Sequence, residues 1–147
     1  MRSNLLNAKI YEIFGLTQDM KECEKQYRGC VFNVLSHNRD DHSKNFSFLM
    51  DPNGFWQVSP SYDLTFSSGP SGEHCSMVMG EGKKPGIKQL LALAKISNIK
   101  KSDALKIIDQ VKSSVSKWSN FAKDAGVSSS SSKLINLAIT KIIKDNF

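Results

Sequence analysis

The polar stretch at residues 36–45 contains two candidate catalytic side chains, a carboxylate and an amide. Asp40 and Asn45 are five positions apart in the pattern Asp-x-x-x-x-Asn. A carboxylate can orient an attacking hydroxyl and take its proton, and an amide oxygen can hold the magnesium ion that bridges nucleotide phosphates. The pair therefore has the residue types that phosphoryl transfer needs, although this spacing alone is common by chance.

A third oxygen donor, Asp63, follows a predicted β-hairpin. Two aromatic-rich runs flank the turn sequence Asp51-Pro52-Asn53-Gly54, which predicts a hairpin at residues 46–59. Because a hairpin brings its two ends together, Asn45 and Asp63 should lie close despite a separation of 18 residues. Each acidic residue alone would favour a solvated turn, but the ordered set of Asp40, Asn45 and Asp63 favours catalysis with magnesium.

The other polar side chains of this region give weaker signals. Lys44 could contact a phosphate or could be an ordinary surface lysine. The three histidines and three cysteines have no Cys-x-x-Cys or His-x-x-x-His spacing, which disfavours a zinc site. A loop histidine, with His37 and His42 as candidates, is instead expected to hydrogen-bond a catalytic carboxylate. The Gly-rich run at residues 80–86 lacks phosphate-loop spacing and is predicted to be a turn.

Helices are predicted before the polar stretch. Apolar residues from Leu5 to Phe14 have helical spacing, and Gly15 is expected to end that helix. A second apolar stripe predicts a long helix at about residues 18–35, with Thr17 as its N-cap. Cys23 and Cys30 lie on the apolar face of this helix, so small buried hydrophobic side chains are favoured over metal or redox roles.

The second half of the chain is predicted to be helical at residues 87–147. A short helix is expected around residues 87–94, and a longer one is expected to start at the cap signal Ser102-Asp103 and end at Gly126. Ser128 to Ser132 predicts a flexible linker. The isoleucine-rich segment that follows predicts a terminal helix.

Composition limits the class of protein. The chain has 147 residues, of which 39% are hydrophobic and 23% charged, which suits one globular domain. It has no apolar run of the roughly 20 residues that a membrane-spanning helix needs, and its first residues do not form a signal peptide. Three widely spaced cysteines do not suggest a disulfide framework. A cytoplasmic protein is therefore expected.

Charge is unevenly distributed along the sequence. Residues 1–79 have seven basic and nine acidic side chains, whereas residues 80–147 have thirteen basic and five acidic ones. A basic surface can indicate an anionic partner such as nucleic acid. All thirteen basic residues of the second half are lysines, and no aromatic residues interleave with them in a binding pattern, which favours a solvated helix face over direct nucleic-acid binding.

The motif as a whole resembles a known family. The string at residues 37–45, His-Asn-Arg-Asp-Asp-His-Ser-Lys-Asn, is similar to the signature Asn-x-Asp-x-His-x-Lys-Asn of the HipA-like serine/threonine kinases, which are bacterial toxin–antitoxin kinases. The similarity extends over nearly the whole chain, through Gly54-x-Trp56, Ser59 to Leu64, His74 to Met77, Gly80 to Gly82 and the helix around Trp118.

The resemblance implies a fold and a set of site residues. It implies a single domain at residues 1–147, mainly α with a small β-hairpin (α+β), that corresponds to the C-terminal part of the kinase lobe. Within it, residues 36–45 would be the catalytic loop, residues 46–59 the hairpin and residues 60–66 the metal-binding segment.

Individual roles transfer by position within the motif. Asp40 matches the catalytic base, and Asn45 and Asp63 match the two magnesium ligands. His42 and Lys44 match supporting motif positions. Asp41 stands at a variable position and receives no catalytic role.

The resemblance also implies cofactors and partners, with two functional hypotheses. In the first, the chain uses ATP and Mg²⁺ to phosphorylate a protein such as an aminoacyl-tRNA synthetase, and it pairs with a HipB-like DNA-binding antitoxin. Residues 1–39 offer no phosphate-binding loop or nucleotide-anchoring lysine, so activity would require a separate N-terminal lobe. In the second, the chain is a non-catalytic module that binds an antitoxin or target protein.

Overall fold

The computed structural model describes residues 12–147, so most of the predicted first helix lies outside the described residues. Residues 12–17 are helical, which shows that the prediction of a helix end at Gly15 was wrong. The elements that follow are five α-helices and two β-strands: α1 (Met20–Leu35), β1 (Phe48–Met50), β2 (Trp56–Val58), α2 (Ile87–Ile96), α3 (Lys101–Val115), α4 (Trp118–Asp124) and α5 (Ser129–Asn146).

Helix α1 confirms the predicted long amphipathic helix, with a different cap. Asp19 is the N-cap, and its side chain accepts a hydrogen bond from the Lys21 N–H at 2.8 Å. Thr17, the predicted cap, instead donates its hydroxyl to the Ile13 carbonyl at 2.8 Å, which extends the preceding helical turn. The buried face of α1 includes the two cysteines, as expected, together with larger core side chains: Cys23, Tyr27, Cys30, Val31, Val34 and Leu35.

The predicted hairpin is present. Strands β1 and β2 pair antiparallel, with Phe48 opposite Val58. The carboxylate of Asp51 accepts hydrogen bonds from the backbone N–H groups of Asn53 and Phe55, which closes the turn. The outer part of the hairpin is exposed, whereas Val58 is buried against the helical core.

Three predictions for the second half require correction. Helix α3 begins at Lys101, with Lys100 as its N-cap, rather than at the Ser102-Asp103 signal. The apolar stripe expected to form one helix is interrupted after Val115, and α4 begins at Trp118. The serine run at residues 128–132 is not a linker, because the Ser128 side chain accepts from the Ser131 N–H and caps α5.

The core lies among the helices. Buried side chains of α1, α2 and α3 form one cluster, which Ile139 of α5 joins. The domain is therefore mainly α with a two-stranded hairpin, as predicted. Within residues 12–147, no helix combines the length and apolarity needed to cross a membrane.

Candidate functional site

The chain leaves α1 in a loop that two later segments hold in place. Asn38 forms an isolated parallel bridge with Ser67, and the Arg39 N–H donates to the Ser67 carbonyl at 3.3 Å. The second segment contacts the same residue, since the Cys75 N–H donates to the Arg39 carbonyl at 3.0 Å. The His37 ring stacks on Phe66 with the ring centroids 5.1 Å apart. These contacts fix the backbone immediately before Asp40.

Asp40 is the accessible carboxylate of this loop. Its side chain is 47% exposed, so a substrate hydroxyl could reach it. His42 Nε2 lies 3.7 Å from Asp40 Oδ1, which is an ion-pair distance and too long for a hydrogen bond. The Cys75 thiol lies 3.8 Å from the same oxygen. His42 therefore does not make the predicted hydrogen bond, but it does stand beside the predicted catalytic residue.

Asn45 is tied to the backbone of Asp40. It closes a single 3₁₀ turn, Ser43–Asn45, and its Nδ2 donates to the Asp40 carbonyl at 2.9 Å. Because the Asn45 amide nitrogen makes this bond, the Asn45 amide oxygen is directed away from the Asp40 carbonyl. Tyr62 adds a link, since its hydroxyl donates to the Lys44 carbonyl at 2.7 Å. The segment that contains Asp63 is thereby held against the loop that contains Asn45.

Asn45 and Asp63 lie on the walls of one small cavity. The cavity has a volume of about 30 Å³ and is also lined by Asn38 and Asp41. This is room for about one water molecule or one cation. Asn38 is 2% exposed, and its amide oxygen is buried without a hydrogen-bond partner. Asp63 is exposed and has a left-handed backbone with φ of 54°.

Asp41 is a buried anchor rather than a reactive group. Its Oδ2 pairs with His74 Nδ1 at 3.0 Å, and its Oδ1 accepts from the Ser76 N–H at 2.9 Å. The Ser76 hydroxyl donates to the Asp41 carbonyl. The side chains of Asp41 and His74 are only 7% and 3% exposed. The hydrogen-bonded histidine–carboxylate pair is thus His74 with Asp41, one residue away from the carboxylate that the sequence singled out.

Arg39 is a further organising residue that the sequence left without a role. Its Nη1 and Nη2 donate to the carbonyls of Gly72 and Lys83 at 2.6 and 2.9 Å. Gly69, with φ of 68°, permits this approach because a Cβ there would lie 2.7 Å from the Arg39 Cβ and 2.2 Å from the Glu73 carbonyl oxygen. The signal that could have pointed to Arg39 is a lone arginine inside a polar motif, which does not reveal distant carbonyl partners.

Two further predictions for this region concern Lys44 and metal binding. The Lys44 side chain is exposed and reaches solvent beside Asn45. In the described part of the chain, no group of three or more His, Cys, Asp or Glu side chains could hold a metal ion. A site built from Asn45 and Asp63 is not a group of this kind, because it has one carboxylate and one amide.

The fold and loop together define a mainly helical domain that carries an Asp-x-x-x-x-Asn loop followed by a hairpin and a further aspartate. The family model of the HipA-like C-terminal domain matches residues 6–118. The chain therefore belongs to the HipA-like C-terminal domain family, which confirms the resemblance drawn from the motif. Comparison with curated proteins gave no match, and neither did comparison with solved structures.

Proposed function

We propose that this chain is the catalytic C-terminal lobe of a cytoplasmic HipA-type serine/threonine protein kinase. The observation that carries the proposal is that Asn45 holds the backbone of Asp40 while sharing a cavity wall with Asp63. One side chain thus links the predicted base to the predicted metal ligand. Family membership supports the same assignment.

Magnesium fits the residues at this cavity. The donors are the Asn45 amide oxygen and the Asp63 carboxylate, which are the hard oxygens that Mg²⁺ prefers, and Mg²⁺ usually takes only one or two protein ligands. The buried Asn38 amide oxygen adds an unpaired acceptor on the same wall. When bound, the ion would supply positive charge that neutralises the nucleotide phosphates.

The other residues act around that position. Asp40, half-exposed, orients the substrate hydroxyl and accepts its proton. His42, 3.7 Å away, places a polarisable ring beside this carboxylate. Lys44 extends its ammonium from the turn that ends at Asn45, where it can neutralise phosphate charge. A separate N-terminal lobe anchors the nucleotide, and the partners are a protein substrate, such as an aminoacyl-tRNA synthetase, and a HipB-like antitoxin.

The test is phosphoryl transfer from labelled ATP to protein, in the presence of Mg²⁺ and of a HipA-type N-terminal lobe supplied as a separate chain. Loss of a positioned general base costs about 10²- to 10⁴-fold in rate, so Asp40→Asn should lower transfer by that range. Asp109→Asn is the matched control, because this side chain is 74% exposed on α3, and it should leave transfer unchanged.

A second candidate function is a non-catalytic interaction module. The observation in its favour is the apolar tip of the hairpin, where Met50, Phe55 and Trp56 are 58%, 71% and 38% exposed. This alternative predicts that partner binding survives Asp40→Asn and Asp63→Asn while no phosphate is transferred by the native chain. Transfer that depends on Asp40 would exclude it as the sole function.

A further inference from the structure

A second cavity lies on the other side of the loop, between that loop and the C-terminal helix. It has a volume of about 250 Å³. Its walls come from the loop at His37 and Arg39, from the segment at His74 and residues 83–85, and from α5. It shares no lining residue with the cavity of Asn45 and Asp63, so it is a separate feature of the domain.

The charge around this cavity is predominantly positive. Four permanent cations line it, namely Arg39, Lys83, Lys84 and Lys141, against the single carboxylate of Asp145. Lys83 also lies 3.6 Å from Glu73, which offsets part of its charge. The remaining excess of positive charge favours an anion.

Two of the lining groups are held rigidly by the fold. The Arg39 guanidinium donates to two main-chain carbonyls, those of Gly72 and Lys83, so these bonds position its charge without neutralising it. His74 is 5% exposed and is fixed through Nδ1 by the Asp41 carboxylate, which leaves Nε2 as the edge available to the cavity. A neighbouring carboxylate fixes the ring orientation of a histidine in the same way at metal sites.

Part of the lining is apolar. Val34, Pro85, Ala138 and Ile142 contribute it from three different segments, so the cavity combines basic side chains with a surface for carbon atoms. Its α5 residues lie beyond residues 6–118, the part of the chain that the family model matches. The cavity is therefore built partly from a helix outside the matched segment.

We propose that this cavity binds a phosphate monoester, with the phosphate group between Arg39 and Lys141 and the ester carbon against Ile142 and Pro85. The site is distinct from the Asp40 site and does not depend on the kinase assignment. It adjoins the same loop, because Arg39 and Asp41, the two neighbours of Asp40, position its walls.

The probes are phenyl phosphate and inorganic phosphate, titrated at pH 7.5 and constant ionic strength into the isotope-labelled full chain, with binding followed by amide chemical shifts. Lys141→Gln is the test variant. Lys144→Gln is the matched control, because Lys144 is an exposed lysine of the same helix that does not line the cavity. A lost hydrogen bond between charged groups corresponds to about tenfold in affinity.

Phenyl phosphate is expected to give saturable shifts at residues 39, 74, 84 and 141, with affinity about tenfold weaker in Lys141→Gln and unchanged in Lys144→Gln. Displacement by inorganic phosphate would support recognition of the phosphate group itself, and binding of phenyl phosphate alone would support recognition of the whole ester. Shifts that do not saturate, or an equal loss in both variants, would overturn the proposal, because diffuse positive charge would then explain them.

Discussion

Asp40 and Asp41 are adjacent in the chain but have opposite surroundings. The Asp40 carboxylate is half-exposed beside His42 and the Cys75 thiol, whereas the Asp41 carboxylate is buried and accepts from His74 and the Ser76 N–H. The exposed residue can meet a substrate, and the buried one holds the segment at 74–76 against the loop. Motif position identified Asp40 as the candidate base, but no local signal showed that Asp41 would be the anchor, because its partners are 33 and 35 residues away.

Replacing Asp41 tests the anchor. Asp41→Asn keeps the shape of the side chain but puts an N–H₂ group where an acceptor faced a donor. We expect it to lower the free energy of unfolding by about 2–3 kcal/mol, as measured by urea denaturation. Asp124→Asn, an exposed acidic residue at the end of α4, should change it by less than about 0.5 kcal/mol. Equal effects of the two substitutions would refute the anchoring role.

His37 should make stability depend on pH. Burial, assisted by the nearby charge of Arg39, lowers the pKa of His37 below its ordinary value of 6.5. The unfolded chain therefore takes up a proton on this side chain at a higher pH than the folded protein does. The contribution of His37 is present above pH 6.5 and is lost as the pH falls through the lowered folded-state pKa.

His37→Asn removes this titration and suits the backbone, because asparagine tolerates the positive φ of 60° at this position. Between about pH 7.5 and pH 5.5, the variant should lose less unfolding free energy than the native protein does. Urea denaturation at several pH values measures both slopes. Parallel slopes would show that His37 does not titrate differently in the folded and unfolded states.

At the scale of elements, a buried glutamate connects the long helix to the hairpin. Glu22 of α1 accepts a hydrogen bond from the Val58 N–H of β2 at 2.6 Å, and Lys25 donates to the same carboxylate at 2.8 Å. Two-stranded hairpins are marginal alone, so this connection helps to hold β2 on the helical core. The hairpin in turn sets the separation of Asn45 and Asp63.

Glu22→Ala should weaken this connection between α1 and β2. We expect a loss of about 2–3 kcal/mol in the free energy of unfolding, because the Val58 N–H is left buried without its acceptor. Hydrogen exchange at the Val58 amide should accelerate correspondingly. The matched control is Glu24→Ala, since Glu24 is a half-exposed glutamate of the same helix and pairs with Arg28 at 3.5 Å. Unchanged exchange at Val58 would contradict the connection.

Element types were predictable where the signal was local. Periodicity predicted α1, the Pro-Asn-Gly turn predicted the hairpin, and Gly126, with φ of 69°, follows the end of α4 as expected. The prediction of a linker at residues 128–132 was wrong, because the composition of this serine run is typical of a linker, whereas Ser128 is the N-cap of α5. The packing of Ile139 into the core stabilises α5, and this packing could not be predicted from the serine run.

For the whole molecule, the sequence predicted which parts of the candidate site would meet but not how they would be held. The proximity of Asn45 and Asp63 followed from the closure of one hairpin. The contacts of Arg39 with Gly72 and Lys83 span 33 and 44 residues, and no pairing rule connects those segments in advance. The sequence did not predict the second cavity for the same reason, since this cavity forms where α5 lies beside the loop.

The proposed divalent-cation site of Asn45 and Asp63, beside Asp40, can be tested directly with paramagnetic Mn²⁺. Substoichiometric Mn²⁺ added to the isotope-labelled chain should broaden amide signals at residues 45–47 and 61–64, and Mg²⁺ should reverse the effect. Asp63→Asn should abolish the local broadening, while Asp109→Asn should leave it unchanged. Broadening that persists in Asp63→Asn, or that is centred elsewhere, would contradict the assignment of the site.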